Sequence, residues 1–238
     1  MDKTGETIKG GVLLIGSLLW QDGSTQKPLD LVRKRWREAH LLMGDKQKVT
    51  APIRYGSYSS PTDIPLPNEL YTMVLSPDLD QGFSSPNMGE AYVIEFQQKL
   101  SCQDFTEQLK LEVKELSKAE GLFTSEDKFF KKTWGAISIL INQDSLFTAL
   151  ITSAWVKAWR EERDQPGQNY YQRFRQGRES PVISKDGILE LNPFHPIDEN
   201  TGVPSPQNIF DGEDGYDFIL AVVTVPVNKG QRWGVAKL

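Results

Sequence analysis

The chain has 238 residues, a quarter of them charged, and a formal net charge of −5 at pH 7. This length can bury a large core without disulfides, and the acidic balance argues against a nucleic-acid or anionic-membrane surface. Cys102 is the only cysteine, which excludes an internal disulfide and a cysteine-rich metal site. The two histidines, His40 and His195, have no partner at metal-ligand spacing. We predict a soluble, cytoplasmic protein without a metal site.

The first apolar run, residues 10–20, contains Gly16 and Ser17 among branched apolar side chains. The run is shorter than the roughly 20 residues of a membrane span, and Asp2 and Glu6 do not suit the basic leader of a signal peptide. Continuous apolar sequence predicts a strand covered on both faces. The Gly-Ser break predicts a bend whose backbone N–H groups face an anion or a carbonyl oxygen. A buried strand that simply ends at a turn is the alternative.

Periodicity and turn residues predict the remaining elements. Helices are predicted over residues 29–43, 104–119 and 146–163. Strands are predicted over residues 49–58, 71–75, 90–96, 134–141, 183–191 and 216–225. Pro/Gly-rich or polar loops are predicted over residues 21–27, 61–67, 78–87 and 193–215. With no repeat and no linker, we predict one domain, 1–238, with a core over 11–142 and a C-terminal extension, 143–238, packed on it.

The first predicted helix has an apolar face that we expect to be buried. Val32, Trp36, Ala39 and Met43 share this face by helical spacing. The basic residues 33–35 are expected to lie on a solvated face.

The second predicted helix stops at Gly121, which places Glu120 at its end. A carboxylate there faces the negative end of the helix dipole, which tends to raise its pKa. Glu120 is therefore either a general base whose pKa lies nearer neutral pH or a solvated residue of a fraying turn.

Aromatic and basic residues alternate between residues 164 and 179. Stacking and charge of this kind can bind RNA or single-stranded DNA, but the acidic chain favours an ordinary surface helix or loop. The residues concerned are Tyr170, Tyr171, Arg173, Phe174, Arg175 and Arg178.

Four short motifs in order resemble the γ-glutamylcyclotransferase-like superfamily. They are Ile-Gly-Ser-Leu-Leu at 15–19, Thr-Met-Val-Leu-Ser-Pro at 72–77, the glycine-led strand at 88–96, and Glu120-Gly121. The resemblance covers about residues 11–142, and Ile15 stands where the family has a tyrosine.

The resemblance implies an α+β fold, a small mixed β-barrel or sheet with flanking helices and a cavity. It implies that the backbone of Gly16, Ser17 and Leu18 holds substrate oxygens. Arg54 and Tyr55 are further substrate-binding candidates, with Arg54 pairing a carboxylate or bridging to a nearby acid.

The family's chemistry implies that Glu120 moves a proton from the attacking α-amine to the leaving amine as 5-oxoproline forms. The helix before Gly121 is longer than the family's, so Glu112 and Glu115 are rivals for this role. The implied ligand is a small amine or carboxylate, and no cofactor is required. The alternative is a non-catalytic binding or interaction module whose cavity the C-terminal residues occlude.

Overall fold

The structure is a computed structural model that describes residues 6–22, 28–59, 70–80, 88–123, 130–132, 134–161, 169–175 and 180–226. The strands in this part of the chain are β1 Thr7–Ile8, β2 Gly10–Leu14, β3 Gln47–Ala51, β4 Ile53–Ser59, β5 Leu70–Leu75, β6 Gly89–Glu95, β7 Leu100–Ser101, β8 Gly135–Ile141, β9 His195–Pro196 and β10 Phe218–Thr224. The α-helices are α1 Ser17–Trp20, α2 Pro28–His40, α3 Phe105–Glu120 and α4 Thr148–Glu161. Short 3-10 helices cover Met43–Asp45, Pro77–Leu79 and Tyr170–Phe174. The predicted loops at 61–67 and 81–87 lie outside the described residues.

A six-stranded mixed sheet forms the centre of the fold, in the order β8-β10-β2-β6-β3-β9. β10 runs parallel to β2 and antiparallel to β8. β2 and β10 are apolar and largely buried along their length, as expected for strands covered on both faces. The α+β class and the mixed sheet with flanking helices are confirmed.

The closed barrel expected from the resemblance is not formed by the described residues. β4 and β5 make a separate two-stranded hairpin, and β1 and β7 make another small ladder. Pro52 separates β3 from β4, and a proline cannot donate a ladder hydrogen bond. The long extended segment therefore leaves the main sheet after β3 and continues in the hairpin.

The last strand, β10, is an interior strand of the sheet, between β8 and β2. Phe218 of β10 is opposite Gly10 of β2, and a methyl group added at Gly10 would overlap the Phe218 ring. The ring also contacts Phe96 and Phe105, with centroid distances of 6.2 and 5.8 Å. One continuous core therefore includes residues from both sides of position 142.

Three helices pack side by side, with α3 between α2 and α4. α4 contributes Trp155 and Trp159, both buried, and Phe130 stacks on Trp155 at a centroid distance of 5.3 Å. The turn around Gly187 closes over Trp159. Among the described residues, no helix has both the length and the apolar character that a bilayer span needs.

The buried face of α2 coincides only in part with the apolar face that the sequence predicted. Val32 is 39% exposed and Ala39 is exposed, whereas Arg33 and Arg37 are buried beside Trp36. The prediction was wrong for Val32 and Ala39 and correct for Trp36, which is 4% exposed. The two arginines are buried as well because they find hydrogen-bond partners inside the protein, which compensates for their burial. The helix therefore presents a charged face to α3 and to the segment after β2.

The rings proposed for nucleic-acid stacking are largely in the core. Tyr170 and Phe174 are 4% and 1% exposed, and they pack edge to face at 5.1 Å. The Tyr170 hydroxyl donates to the carbonyl of Lys132 or Gly135, at 2.7 and 2.8 Å. These two rings are not available to bases, and Arg178 lies outside the described residues.

Candidate functional site

The Gly-Ser break at the end of β2 forms a sharp turn into α1. Gly16 has a φ of +64°, a left-handed conformation that favours glycine. The amide of Leu19 closes the turn on the Gly16 carbonyl at 3.1 Å. The turn at Gly16 is therefore present, but β2 already ends at Leu14, so the alternative of a buried strand that ends at a turn fits equally well. We name residues 16–21, which comprise the turn, α1 and Gln21, the β2–α1 loop.

Arg37 of α2 holds this loop through hydrogen bonds to its backbone. Its Nη1 donates to the Leu18 carbonyl at 2.6 Å, and its Nη2 donates to the Gln21 carbonyl at 2.7 Å. Burial lowers the pKa of Arg37, and nearby carboxylates, Asp22 first, oppose that effect. The conformation of the loop therefore depends on the buried guanidinium of Arg37, which belongs to the next helix, α2.

Glu120 is connected to the same loop through Arg33. The Arg33 Nη2 lies 3.5 Å from the Glu120 Oε2, and the Glu120 side chain is only 13% exposed. Nη1 of the same guanidinium bonds the Gln21 side-chain oxygen. Burial raises the pKa of Glu120, and Arg33 acts in the opposite direction. One guanidinium thus joins the end of α3 to the end of the loop.

The two rival glutamates have other partners. Glu112 is buried and its Oε2 lies 2.9 Å from the Nδ1 of His40. Glu115 pairs with Lys118, one turn along α3, at 2.6 Å. Among the three carboxylates, Glu120 is therefore the one that shares a partner with the loop in the described part of the chain.

The β4–β5 hairpin brings Tyr55, but not Arg54, to the loop side. Tyr55 lies opposite Met73 in the ladder, and a Cβ on Gly16 would lie 3.6 Å from the Met73 Cε. Cross-strand partners share a face, so Tyr55 is on the hairpin face that approaches Gly16. Arg54 lies opposite Val74, on the other face, and is 5% exposed. The substrate-binding roles of Gly16, Ser17, Leu18, Arg54 and Tyr55 stay predictions.

Sequence reasoning missed Arg33 and Arg37. The cluster at 33–35 was interpreted as a solvated face, which holds for Lys34 and Arg35 only. Helical spacing contained a usable signal, because Arg33, Trp36, Arg37 and His40 share a face. Together they make the polar contact of α2 with its neighbours.

A separate cleft of about 590 Å³ lies at the opposite end of β2, near Lys9. Five of its fifteen lining residues are acidic, and Lys9 and Lys99 also line it. The acidic ones are Asp144, Asp211, Glu213, Asp214 and Asp217. Asp217 is already engaged, since it accepts from the Lys9 backbone N–H and from the Ser145 hydroxyl at 2.7 and 2.5 Å. Among the described residues, no group of three or more His, Cys, Asp or Glu side chains has the arrangement of a metal site.

Comparison with known proteins finds no matching family model, no matching curated protein and no matching solved structure. The resemblance to γ-glutamylcyclotransferase-like proteins therefore depends on the short motifs alone.

Arg37 offers a direct test of how the loop is held. We expect Arg37→Leu to lower the free energy of unfolding by about 3 kcal/mol, because two charge-assisted hydrogen bonds to backbone carbonyls are lost. Arg35→Leu removes the same charge from the exposed neighbour and should change stability little. Denaturant unfolding of both variants measures the difference. Equal losses in the two variants would contradict the role given to Arg37.

The burial of Glu112 leads us to expect that the free energy of unfolding depends on pH. Burial raises its pKa above the ordinary value of 4.5, although His40 opposes the shift. The native state then binds this proton more tightly than the unfolded chain, so the free energy of unfolding falls as pH rises through the interval between the two pKa values. Glu112→Gln removes this titration. Relative to the variant, the wild type should lose stability as pH rises from about 4.5 and level off above the native pKa of Glu112.

The matched control for Glu112 is Glu38→Gln, on the exposed face of α2. Glu38 is 63% exposed and pairs only loosely with Lys34 at 4.0 Å. Its variant should keep the wild-type pH profile of stability. Parallel profiles for the wild type and Glu112→Gln would show that Glu112 titrates alike in the native and unfolded states.

Proposed function

We propose that the chain is a γ-glutamylcyclotransferase-like protein that binds γ-glutamyl amines and converts them to 5-oxoproline and a free amine. The observation that carries the proposal is the Arg33 guanidinium, which contacts Glu120 and the loop residue Gln21 together. The carboxylate and the loop are the two parts that this reaction requires. A largely buried carboxylate with a raised pKa suits a group that exchanges protons near neutral pH.

In the proposed reaction, the substrate α-amine attacks the γ-amide carbonyl and forms the new C–N bond of the ring. Glu120 takes a proton from the attacking amine. The tetrahedral intermediate collapses, the γ-amide C–N bond breaks, and Glu120 delivers the proton to the leaving nitrogen. The reaction is an internal acyl transfer that uses no oxidant or reductant.

The β2–α1 loop has the complementary role of holding oxygen. Amides at the beginning of a helix have no intrahelical acceptor, and Ser17 and Leu18 begin α1. We place the developing oxyanion or a substrate carboxylate at these amides. Tyr55 is the side chain proposed to line the ligand from the hairpin.

The second candidate is a binding module of the same fold that performs no chemistry. Ile15 in place of the family's tyrosine favours it, because any contact made by that hydroxyl is absent. The ion pair between Glu120 and Arg33 favours it too, since a paired carboxylate can serve packing alone. Both candidates place a small amine- or carboxylate-bearing ligand at the same loop.

The test is incubation of the full chain with a panel of γ-glutamyl amines, with 5-oxoproline and released amine quantified together. Equal amounts of the two products are expected. An N-acetylated γ-glutamyl amine is the matched control, because its blocked nitrogen cannot attack. Binding of the panel without 5-oxoproline would favour the non-catalytic module, and the absence of both binding and turnover would overturn both candidates.

A further inference from the structure

Arg33 makes three contacts with two parts of the protein, the end of α3 and the β2–α1 loop. Its Nε donates to the Ala119 carbonyl at 3.0 Å, its Nη2 faces the Glu120 carboxylate, and its Nη1 bonds Gln21. The residue is only 9% exposed. All three sides of the guanidinium are therefore used within the fold, and the group is held in one orientation.

The position of Glu120 explains why a cation is needed there. The carboxylate lies at the C-terminal end of α3, where the helix dipole opposes negative charge. Arg33 reaches the Ala119 carbonyl and the Lys132 ammonium reaches the Gly121 carbonyl at 2.8 Å. Arg33 is the one of these cations that also contacts the carboxylate.

The contact uses one carboxylate oxygen only. Arg33 faces Oε2, and within the described residues no hydrogen bond is formed to Oε1. A planar guanidinium fixes direction as well as charge, which the ammonium of a lysine does not. Glu120 therefore has one oxygen beside the guanidinium, while no described hydrogen bond occupies the other.

We propose that Arg33 is the positioning residue of Glu120, holding Oε2, leaving Oε1 for proton transfer, and tying the carboxylate to the β2–α1 loop through Gln21. The catalytic meaning of this inference rests on the proposed function. Arg33 does not touch the reacting atoms. It acts through the ionisation and the direction of the carboxylate.

The charges around Glu120 set the direction of the expected effect. Arg33 comes from α2, Lys132 from the segment before β8, and Arg37 lies one turn further along α2, directed at the loop. Removal of Arg33 leaves the burial of Glu120 opposed by no direct contact. The carboxylate should then take up its proton at higher pH than in the wild type.

The experiment is a ¹³C NMR titration of the Glu120 side-chain carboxyl in the ligand-free full chain. Arg33→Gln should move the titration midpoint to higher pH. Arg33→Lys should move it less, because lysine keeps the positive charge but lacks the planar guanidinium. Lys34→Gln is the matched control, since it removes the same charge from the adjacent, exposed position and should leave the midpoint unchanged. Thermal unfolding of each variant identifies a misfolded sample, and Arg33→Lys keeps the test decisive if the Gln variant does not fold.

The kinetic arm is the pH profile of kcat/KM for 5-oxoproline formation. In Arg33→Gln the acid limb should move to higher pH, with a loss of about 10-fold to 100-fold at pH 7 from misplacement of the carboxylate, and Arg33→Lys should recover part of it. If wild type forms no 5-oxoproline but the NMR midpoint moves as expected, the proposed function fails and the positioning of Glu120 by Arg33 stands. If wild type is active and the Arg33 variants keep both midpoint and profile, the inference is overturned and the proposed function stands.

Discussion

Glu120→Gln is expected to lower kcat for 5-oxoproline formation by about 10²-fold to 10⁴-fold, the usual contribution of a positioned acid/base group. The amide has the same shape and keeps an oxygen that can accept a hydrogen bond from Arg33. It cannot take a proton from the attacking amine or deliver one to the leaving nitrogen. Because the site keeps its shape, we expect KM to change much less than kcat. Steady-state assays on γ-glutamyl amines measure both constants.

The matched control for Glu120 is Glu115→Gln, five residues earlier on the same helix. Glu115 pairs with Lys118 at 2.6 Å and shares no described partner with the loop. Its variant should retain wild-type kcat. A Glu120→Gln protein with undiminished kcat would remove this residue from the mechanism, and a large loss in Glu115→Gln instead would transfer the role to that carboxylate.

Phe218→Ala is expected to cost about 3–5 kcal/mol of unfolding free energy, the typical range for deleting a buried phenylalanine ring. Phe218 is 0% exposed and its ring lies between Gly10 of β2 and Phe105 of α3. Deleting the ring leaves a cavity in the centre of the sheet, where close-packed neighbours relax only in part. Denaturant unfolding of the purified variant measures the loss.

Leu111→Ala is the control for this core deletion. Leu111 lies on α3 and is 52% exposed, so its truncation opens no cavity. We expect a loss below about 1 kcal/mol for it. A loss of that small size in Phe218→Ala would be incompatible with a last strand that lies between β2 and β8.

Local sequence features predicted many elements of the fold. The apolar run after Lys9 predicted β2, Gly16 marked its bend, and helical periodicity with Gly121 predicted α3 and its end. Gly121 indeed ends the helix with a φ of +72°. These features are encoded within a few residues of where they act, so a single sequence reveals them.

The pairing of the strands could not be predicted in the same way. The last apolar run predicted a buried strand, but nothing local indicates that β10 inserts between β2 and β8. Residues 143–238 were expected to pack on the core, whereas β10 is part of its central sheet. Strand partners far apart in sequence are chosen by the fit of whole faces, such as the Phe218 ring against Gly10. The closed barrel failed for a related reason, because the hairpin separates from the sheet at Pro52.

Burial of charge limited what could be predicted of the site. Glu120 stood out because its position at a helix end is unfavourable for a carboxylate. Arg33 did not stand out, since a basic residue next to Lys34 and Arg35 is solvated in most helices. Its burial depends on a glutamate 87 residues later and on Gln21 before it, and only the fold brings these together. The relation between Arg33 and Glu120 was therefore beyond local sequence reasoning.

We propose that the β2–α1 loop and the end of α3 form one ligand site. Chemical-shift mapping of backbone amides, with an N-acetylated γ-glutamyl amine added to the full chain, tests it most directly because binding is observed without turnover. Saturable shifts are expected at Gly16, Leu18 and Glu120, and none at Asp144 or Asp214 in the cleft near Lys9. Shifts confined to that cleft, or no saturable shift at the loop, would contradict it.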